Sequence, residues 1–328
     1  MPELPLFNKY TNFVNIKTKN YIDISLNPIV ELIQTNYLDE QLVQYKPTAE
    51  NIVPYLTNHN QQVYVSTYTD NNNIIGCLTS RPINVILKNI KFIAYYVDYL
   101  VVKKGHRKKG VAPELIQTHE YNQRHNNKNV QISLFKREDT LTNIIPLVTY
   151  KLVGFPLYKF KKGYLHASLK ILKISKQNLH FVFYFIKSFV YKNFPCVILP
   201  ELNNLAGLIE SNNIVMYAIM QQDNIICLYV FQDTCVYHNK KRGIQLITSS
   251  CIHKDYYSTF EEGLYQVIEN FKINYQNLFI DGNSHNNVLI KRILNSNRSR
   301  PFLTSNAAYY FYNYISRPFL SSEVFIIS

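Results

Sequence analysis

The chain has no tryptophan and only nine glycines in 328 residues, with thirteen prolines. So few backbone breakers exclude collagen-like and linker-dominated chains. Cysteine is sparse and scattered. Cys77, Cys196, Cys227, Cys235 and Cys251 are odd in number and include no C-x-x-C pair. Neither a zinc ribbon nor a thioredoxin-type site is written here, so no metal is expected, and a reduced, cytoplasmic setting is the simple reading. Long apolar runs are missing as well. The greasiest stretch, 181–190, is interrupted by Lys187 and falls short of the ~20 apolar residues that a bilayer span needs. The chain does not open on a cationic segment followed by an apolar run, so neither a secretory signal nor a transmembrane segment is expected.

Negative charge is in short supply too. Asp and Glu number 22 against 35 Lys and Arg, a formal net charge of +13. That imbalance points to an anionic partner: nucleic acid, a membrane surface or a phosphate-rich ligand. What is abundant is apolar surface. Hydrophobic residues make up 47% and charged residues 17%, which excludes global disorder and can supply a large core. The length suggests about two domains.

The apolar pattern predicts a helix over 27–38, with Pro28 in its first turn and Ile29, Leu32, Ile33 and Tyr37 on one face. Alternation over 62–69, a turn at 70–73 and a strand at 74–79 read as a hairpin. Further strands are predicted at 83–88, 91–102 and 130–134, with a helix at 112–123 between the last two. The second half repeats the order: a helix at 181–191, a hairpin at 213–219 and 225–231, and a strand at 243–251. A helix follows at 256–271 with Phe260, Leu264, Val267, Ile268 and Phe271 inward. Strands at 278–280, 307–314 and 323–328 and a helix at 287–294 complete it. The repeated order suggests a tandem duplication of one α/β unit with no Pro/Gly/Ser linker, so the two units are expected to share one sheet.

The most informative segment runs from Val97 to Ile116. A long β-type run enters Arg107-Lys108-Lys109-Gly110-Val111-Ala112, and a helix opens at once with Pro113 near its start. Unpaired N–H groups and the helix dipole make such a junction a site for anions. Gly110 permits close approach of a ligand to the backbone, and Arg107, Lys108 and Lys109 add positive charge. The junction suits a pyrophosphate. Read as a charge run alone, KKGHRKK is a solvated basic loop or a nuclear-localisation-like cluster.

Arg107-x-x-Gly110-x-Ala112 after a strand resembles the acyl-CoA pyrophosphate loop of the GNAT superfamily of N-acetyltransferases. The wider stretch is similar to N-myristoyltransferases, a tandem duplication of that fold. Val97-Asp98-Tyr99-Leu100-Val101-Val102 and Val111-Ala112-Pro113-Glu114-Leu115-Ile116 follow the family pattern, with Asp98 in place of Asn. Residues 29–38 resemble its N-terminal helix and N-Y-L, and Gly76 to Pro82 its G-F-x-x-x-x-P strand. Tyr309-Tyr310-Phe311-Tyr312-Asn313-Tyr314, followed by 322–328, resembles its closing tyrosine motif and terminal strand.

The resemblance implies an α/β fold of two GNAT-like units, 1–165 and 166–328, in a continuous saddle-shaped, largely antiparallel sheet flanked by helices. The first half would bind acyl-CoA, the second the peptide. It implies transfer of myristate from myristoyl-CoA to the N-terminal glycine amine of a peptide or protein, by a monomer with no nucleic-acid partner. The backbone N–H groups of Tyr99 and Leu100 would form the oxyanion hole, and the terminal carboxylate of Ser328 would take the proton. Val101, Val102, Arg107, Lys108, Lys109, Gly110, Val111, Ala112 and Pro113 would hold the CoA. Tyr150, His253 and Tyr310 would face the peptide.

The chain departs from the family where the peptide binds. Phe135 stands near the Thr of a T-A-G segment, the Trp and His after Tyr150 are missing, and the glycine-rich segment before the terminal tyrosines is absent. Two alternatives stay open: an acyl-CoA-binding descendant with altered catalysis, and a GNAT acetyltransferase of other amines. A nucleic-acid-binding protein would concentrate its charge, whereas here the excess is scattered outside Lys103–Lys109 and the KFKK at 159–162.

Overall fold

The computed structural model describes residues 4–38, 42–296 and 299–328. Strand β1 (Ile16–Asn20) precedes α1 (Asn27–Asn36), β2 (Val43–Tyr45) and α2 (Ala49–Leu56). A meander of β3 (Tyr64–Asp70), β4 (Asn73–Leu87) and β5 (Ile90–Val102) follows, then α3 (Val111–Asn126), β6 (Ser133–Glu138), β7 (Val148–Pro156) and β8 (Leu169–Lys173). Next, α4 (Leu179–Phe185) passes through a π turn into α5 (Tyr191–Asn193), followed by β9 (Cys196–Leu199) and α6 (Leu202–Glu210). A second meander, β10 (Ile214–Gln221), β11 (Asn224–His238) and β12 (Lys241–Cys251), leads to α7 (Tyr257–Ile268) and β13 (Asn277–Asp281). The chain closes with α8 (Asn286–Asn295), β14 (Leu303–Tyr312) and β15 (Val324–Ile326).

The strands form one sheet in the order β1-β3-β4-β5-β6-β14-β7-β13-β12-β11-β10-β8. Most neighbours are antiparallel; β5–β6, β12–β13 and β15–β9 are parallel. Each meander is followed by a helix and a parallel strand, as the repeated sequence order leads one to expect. The middle of the sheet interlocks the two halves. β14 lies between β6 and β7, and β7 pairs on its far side with β13.

Helix α7 buries Phe260, Leu264, Val267 and Ile268 against β10–β13, and Phe271 just beyond its end joins the same core. The sequence splits β4 in two at Pro82, yet the strand is continuous. Its neighbour β3 pairs only as far as Ser80 and β9 begins at Asn84. Pro82, which has no N–H to donate, therefore sits in the gap between two partners. Among the described residues no helix is long and apolar enough to cross a membrane. All five cysteines are buried and unpaired.

Candidate active site

The parallel strands β5 and β6 pair only at Tyr95–Ser133 and Tyr96–Leu134, then part, although β5 runs on to Val102 and β6 to Glu138. A wedge opens between them. On its β5 side the register with β4 slips: Thr79 faces Asp98 and Cys77 faces Val101, so Tyr99 and Leu100 together oppose Leu78. This is a β-bulge, which leaves backbone groups out of the ladder. Tyr99 has φ +49, a left-handed conformation that costs a residue with a Cβ about 1–2 kcal/mol and that clusters at functional sites. Its ring packs on Tyr37, and its hydroxyl lies 3.4 Å from that of Tyr45. The oxyanion candidates Tyr99 and Leu100 thus lie at a strained kink beside an opening.

Val101 and Val102 are buried, so only their backbone is available to a ligand. Beyond them the loop turns through Lys104–His106 and reaches Gly110 at φ +85, the residue before α3. No side chain caps that helix start, and the N–H groups of a first turn lack intrahelical acceptors. Pro113, third in the helix, has no N–H to leave unsatisfied. Val111 packs into the core with Leu115, while Ala112 is half-buried. Gly76 permits this packing: a Cβ there would lie 2.8 Å from Leu115 Cδ1 and 3.1 Å from the Val101 carbonyl.

Lys108 and Lys109 are exposed beside the helix start, as a pyrophosphate site requires. Arg107 is tied back onto the protein. Its Nε donates to the Val102 carbonyl at 3.1 Å and its Nη2 donates to the Asn36 carbonyl. Asn36 Oδ1 also accepts from the Lys104 N–H at 3.1 Å. Arg107 therefore pins the loop to the end of α1, and the Asn36-Tyr37-Leu38 motif carries the other half of that clasp. Both bonds leave part of the guanidinium fork unengaged.

The terminal strand approaches the same region from the second half. Phe325, Ile326 and Ile327 are buried, and the Ile327 N–H donates to the Ile198 carbonyl at 2.9 Å. Ser328 follows, with its hydroxyl 2.9 Å from that of Tyr309. Tyr309 packs on Tyr96 of β5 and Tyr150 of β7, at ring distances of 6.5 and 6.2 Å. Ser328, Tyr96, Tyr150 and Tyr309 therefore share one face of the sheet. Tyr310 does not. Alternation along β14 sends it to the other face, where it stacks on Phe135 at 5.2 Å and its hydroxyl accepts from the Thr142 N–H. His253 lies elsewhere: exposed after β12, its ring accepts from the Asp255 N–H and caps a short 3-10 turn.

Sequence reasoning passed over two charged residues in this wall. Asp281 ends β13 and is 1% exposed. It accepts from Gln245 Nε2 at 2.8 Å and the Tyr150 hydroxyl at 3.2 Å, and pairs with Lys136 at 3.4 Å. Burial pushes its carboxyl up to about 6, against the pull of Lys136. Lys136 also meets Glu138 at 2.6 Å. Burial alone would lower the Lys136 ammonium, but Asp281 and Glu138 hold it well above its ordinary value. The signal for Lys136 was its neighbour Phe135 at the family's T-A-G position; the burial of Asp281 was not legible.

Among the described residues no group of three or more His, Cys, Asp and Glu side chains could hold a metal. Residues 26–140 match the acetyltransferase (GNAT) family. No curated protein sequence matches the chain. Two solved structures show the same fold. One is Saccharomyces cerevisiae N-myristoyltransferase with bound myristoyl-CoA, 15% identical at a TM-score of 0.74, covering 97% of this chain and 86% of that one. The other is the same yeast enzyme with myristoyl-CoA and inhibitors, 15% identical at a TM-score of 0.75, covering 97% and 83%.

Proposed function

We propose that the protein is an acyltransferase that moves a long acyl group, myristoyl in the leading reading, from CoA to the α-amine of an N-terminal glycine. The observation that carries this reading is the left-handed bulge at Tyr99–Leu100, set in a wedge between parting strands on the N-myristoyltransferase fold. The first half, 1–165, binds the acyl-CoA, with its pyrophosphate at Lys108, Lys109 and the N–H groups of Gly110 to Ala112. The second half, 166–328, brings Ser328 to the acceptor side.

The thioester oxygen sits against the N–H groups of Tyr99 and Leu100, which oppose the charge that develops as the amine attacks. The ammonium must first lose a proton. An α-amine titrates near ~7.8, so a carboxylate suffices as base near neutral pH. The terminal carboxylate of Ser328 takes that role, with the Ser328 hydroxyl anchored at that of Tyr309. This reading keeps Tyr150 in the acceptor wall and leaves out Tyr310, on the opposite sheet face, and His253, exposed after β12.

A second reading, acyl-CoA binding without transfer to peptides, is favoured by Lys136, whose ammonium and its two carboxylate partners fill that wall with charge. Labelled acyl-CoA esters of increasing chain length with N-terminal Gly peptides separate the two. The leading reading expects transfer that peaks at a long chain and falls on adding one residue after Ser328. Tight acyl-CoA binding with no transfer to any peptide supports the second. Transfer unaffected by the extension removes Ser328 from the mechanism.

A further inference from the structure

Arg81 is 1% exposed, a guanidinium enclosed in the sheet next to the bulge. Its Nε donates to Asp98 Oδ2 at 3.0 Å. Its plane lies between two rings, 5.2 Å from the centroid of Tyr55 and 5.0 Å from that of Tyr96. Tyr55 is itself fixed by Gln232, whose Nε2 donates to its hydroxyl at 2.7 Å. Asp98 is the residue immediately before Tyr99 and Leu100, and its side chain is 21% exposed. The neighbouring backbone is held by two more bonds from β4. The Thr79 hydroxyl donates to the Asp98 carbonyl at 3.1 Å, and the Cys77 thiol donates weakly to the Tyr99 carbonyl at 3.6 Å.

These contacts have a common effect. A left-handed residue with a Cβ persists only where its surroundings over-determine it. Both carbonyls flanking the kink are pinned toward β4, which fixes the peptide planes on either side of Tyr99. The Asp98 side chain is the remaining lever on that kink, and Arg81 holds it. A buried pair of this kind is weak evidence of stability, because desolvation offsets its attraction. Its reason is better sought in geometry.

We infer that Arg81 and Asp98 are positioning residues that lock the Tyr99–Leu100 bulge, so that its N–H groups stay aimed into the wedge for an oxyanion. Neither side chain reaches the reacting atoms in this role; both act through the backbone. The inference rests on the proposed acyl transfer for its purpose, while the locking itself stands on the contacts around the kink.

The decisive variant is Arg81→Met/Asp98→Asn, which removes both charges and so leaves none buried alone. Backbone amide order parameters are read by NMR relaxation at Tyr99 and Leu100, with the β10–β12 amides as reference, and need no turnover. Locking expects the order parameters at 99–100 to fall from about 0.85 to below about 0.6 while the reference amides are unchanged. In the transfer assay kcat falls by roughly tenfold or more, while acyl-CoA affinity and acceptor KM stay within about threefold. Asp98→Asn alone, which keeps an oxygen for Arg81, shows smaller changes in the same direction and serves if the double variant does not fold. Native order parameters at Tyr99 and Leu100 in a folded variant overturn the inference, as does native kcat. A wild type that transfers nothing counts against the proposed function, and the order-parameter result alone then decides the pair.

Discussion

His119 has two serine partners. Its Nδ1 lies 2.8 Å from the Ser66 hydroxyl and its Nε2 2.8 Å from that of Ser80. Ser80 donates onward to Gln123 at 2.6 Å, so Nε2 carries the ring proton and Nδ1 accepts. Burial disfavours the charged ring and depresses its pKa from 6.5 to about 4. The unfolded chain therefore binds a second ring proton first. The contribution to stability is whole above pH 6.5 and is lost as pH falls toward 4, by about 1.4 kcal/mol per unit. Asp281, raised from 3.8 to about 6, runs the other way: its contribution is present below 3.8 and lost as pH rises through 6. Comparison with His119→Gln cancels every group but one. Urea denaturation is expected to show the wild type losing stability faster than the variant between pH 6.5 and 4.5, and parallel slopes would refute the assignment. A second pair of variants separates two adjacent tyrosines. Tyr309→Phe loses the hydroxyl beside Ser328 and is expected to lower kcat by about 3–10-fold, the worth of one hydrogen bond. Tyr310→Phe, on the other face, is expected to stay within about twofold. The tyrosine motif marked this strand in the sequence, but which tyrosine faces the site depends on register, and register is set by the strands on either side.

At the scale of elements, the loop and α3 form one unit with β4 and β5. The strand, the loop and the helix start were all legible, because periodicity and the R-x-x-G-x-A spacing are local. The role of Arg107 was not, since its acceptors belong to β5 and to α1, about 70 positions away in sequence. Gly76 tests how closely the helix must sit. In Gly76→Ala the new Cβ meets Leu115 and the Val101 carbonyl, an overpacking expected to cost about 1–3 kcal/mol. Moving α3 outward also moves its N-terminus, so acyl-CoA affinity is expected to fall alongside the melting temperature. Calorimetry on the variant with an acyl-CoA titration checks both, and unchanged affinity in a destabilised protein would uncouple the helix from the ligand. The same locality explains why α2 and α6 went unread. Pro54 stands inside α2, and each helix is short, held by burial of a few residues rather than by a long periodic run.

For the whole molecule the sequence repeat suggested two similar units, and it could not show how they join. β7 comes from the first half, yet both its neighbours, β14 and β13, come from the second. β14 in turn completes β6. A fragment of residues 1–165 therefore leaves β6 and β7 with unpaired edges at the centre of the sheet. It is expected to lack cooperative unfolding by circular dichroism and to aggregate, whereas the full chain melts in one transition; a fragment with a sharp melt would contradict the interlocked sheet. Under the proposed function the net charge of +13 has one local use in the basic loop beside Gly110.

Acyl transfer to an N-terminal amine is tested most directly by locating the acyl group. The full chain is incubated with myristoyl-CoA and a peptide that begins with Gly and carries one internal Lys, and the product is sequenced by tandem mass spectrometry. A myristoyl group on the glycine α-amine with the lysine unmodified is the expected result. Acylation of the lysine instead, or no acylated peptide despite bound acyl-CoA, would contradict the account.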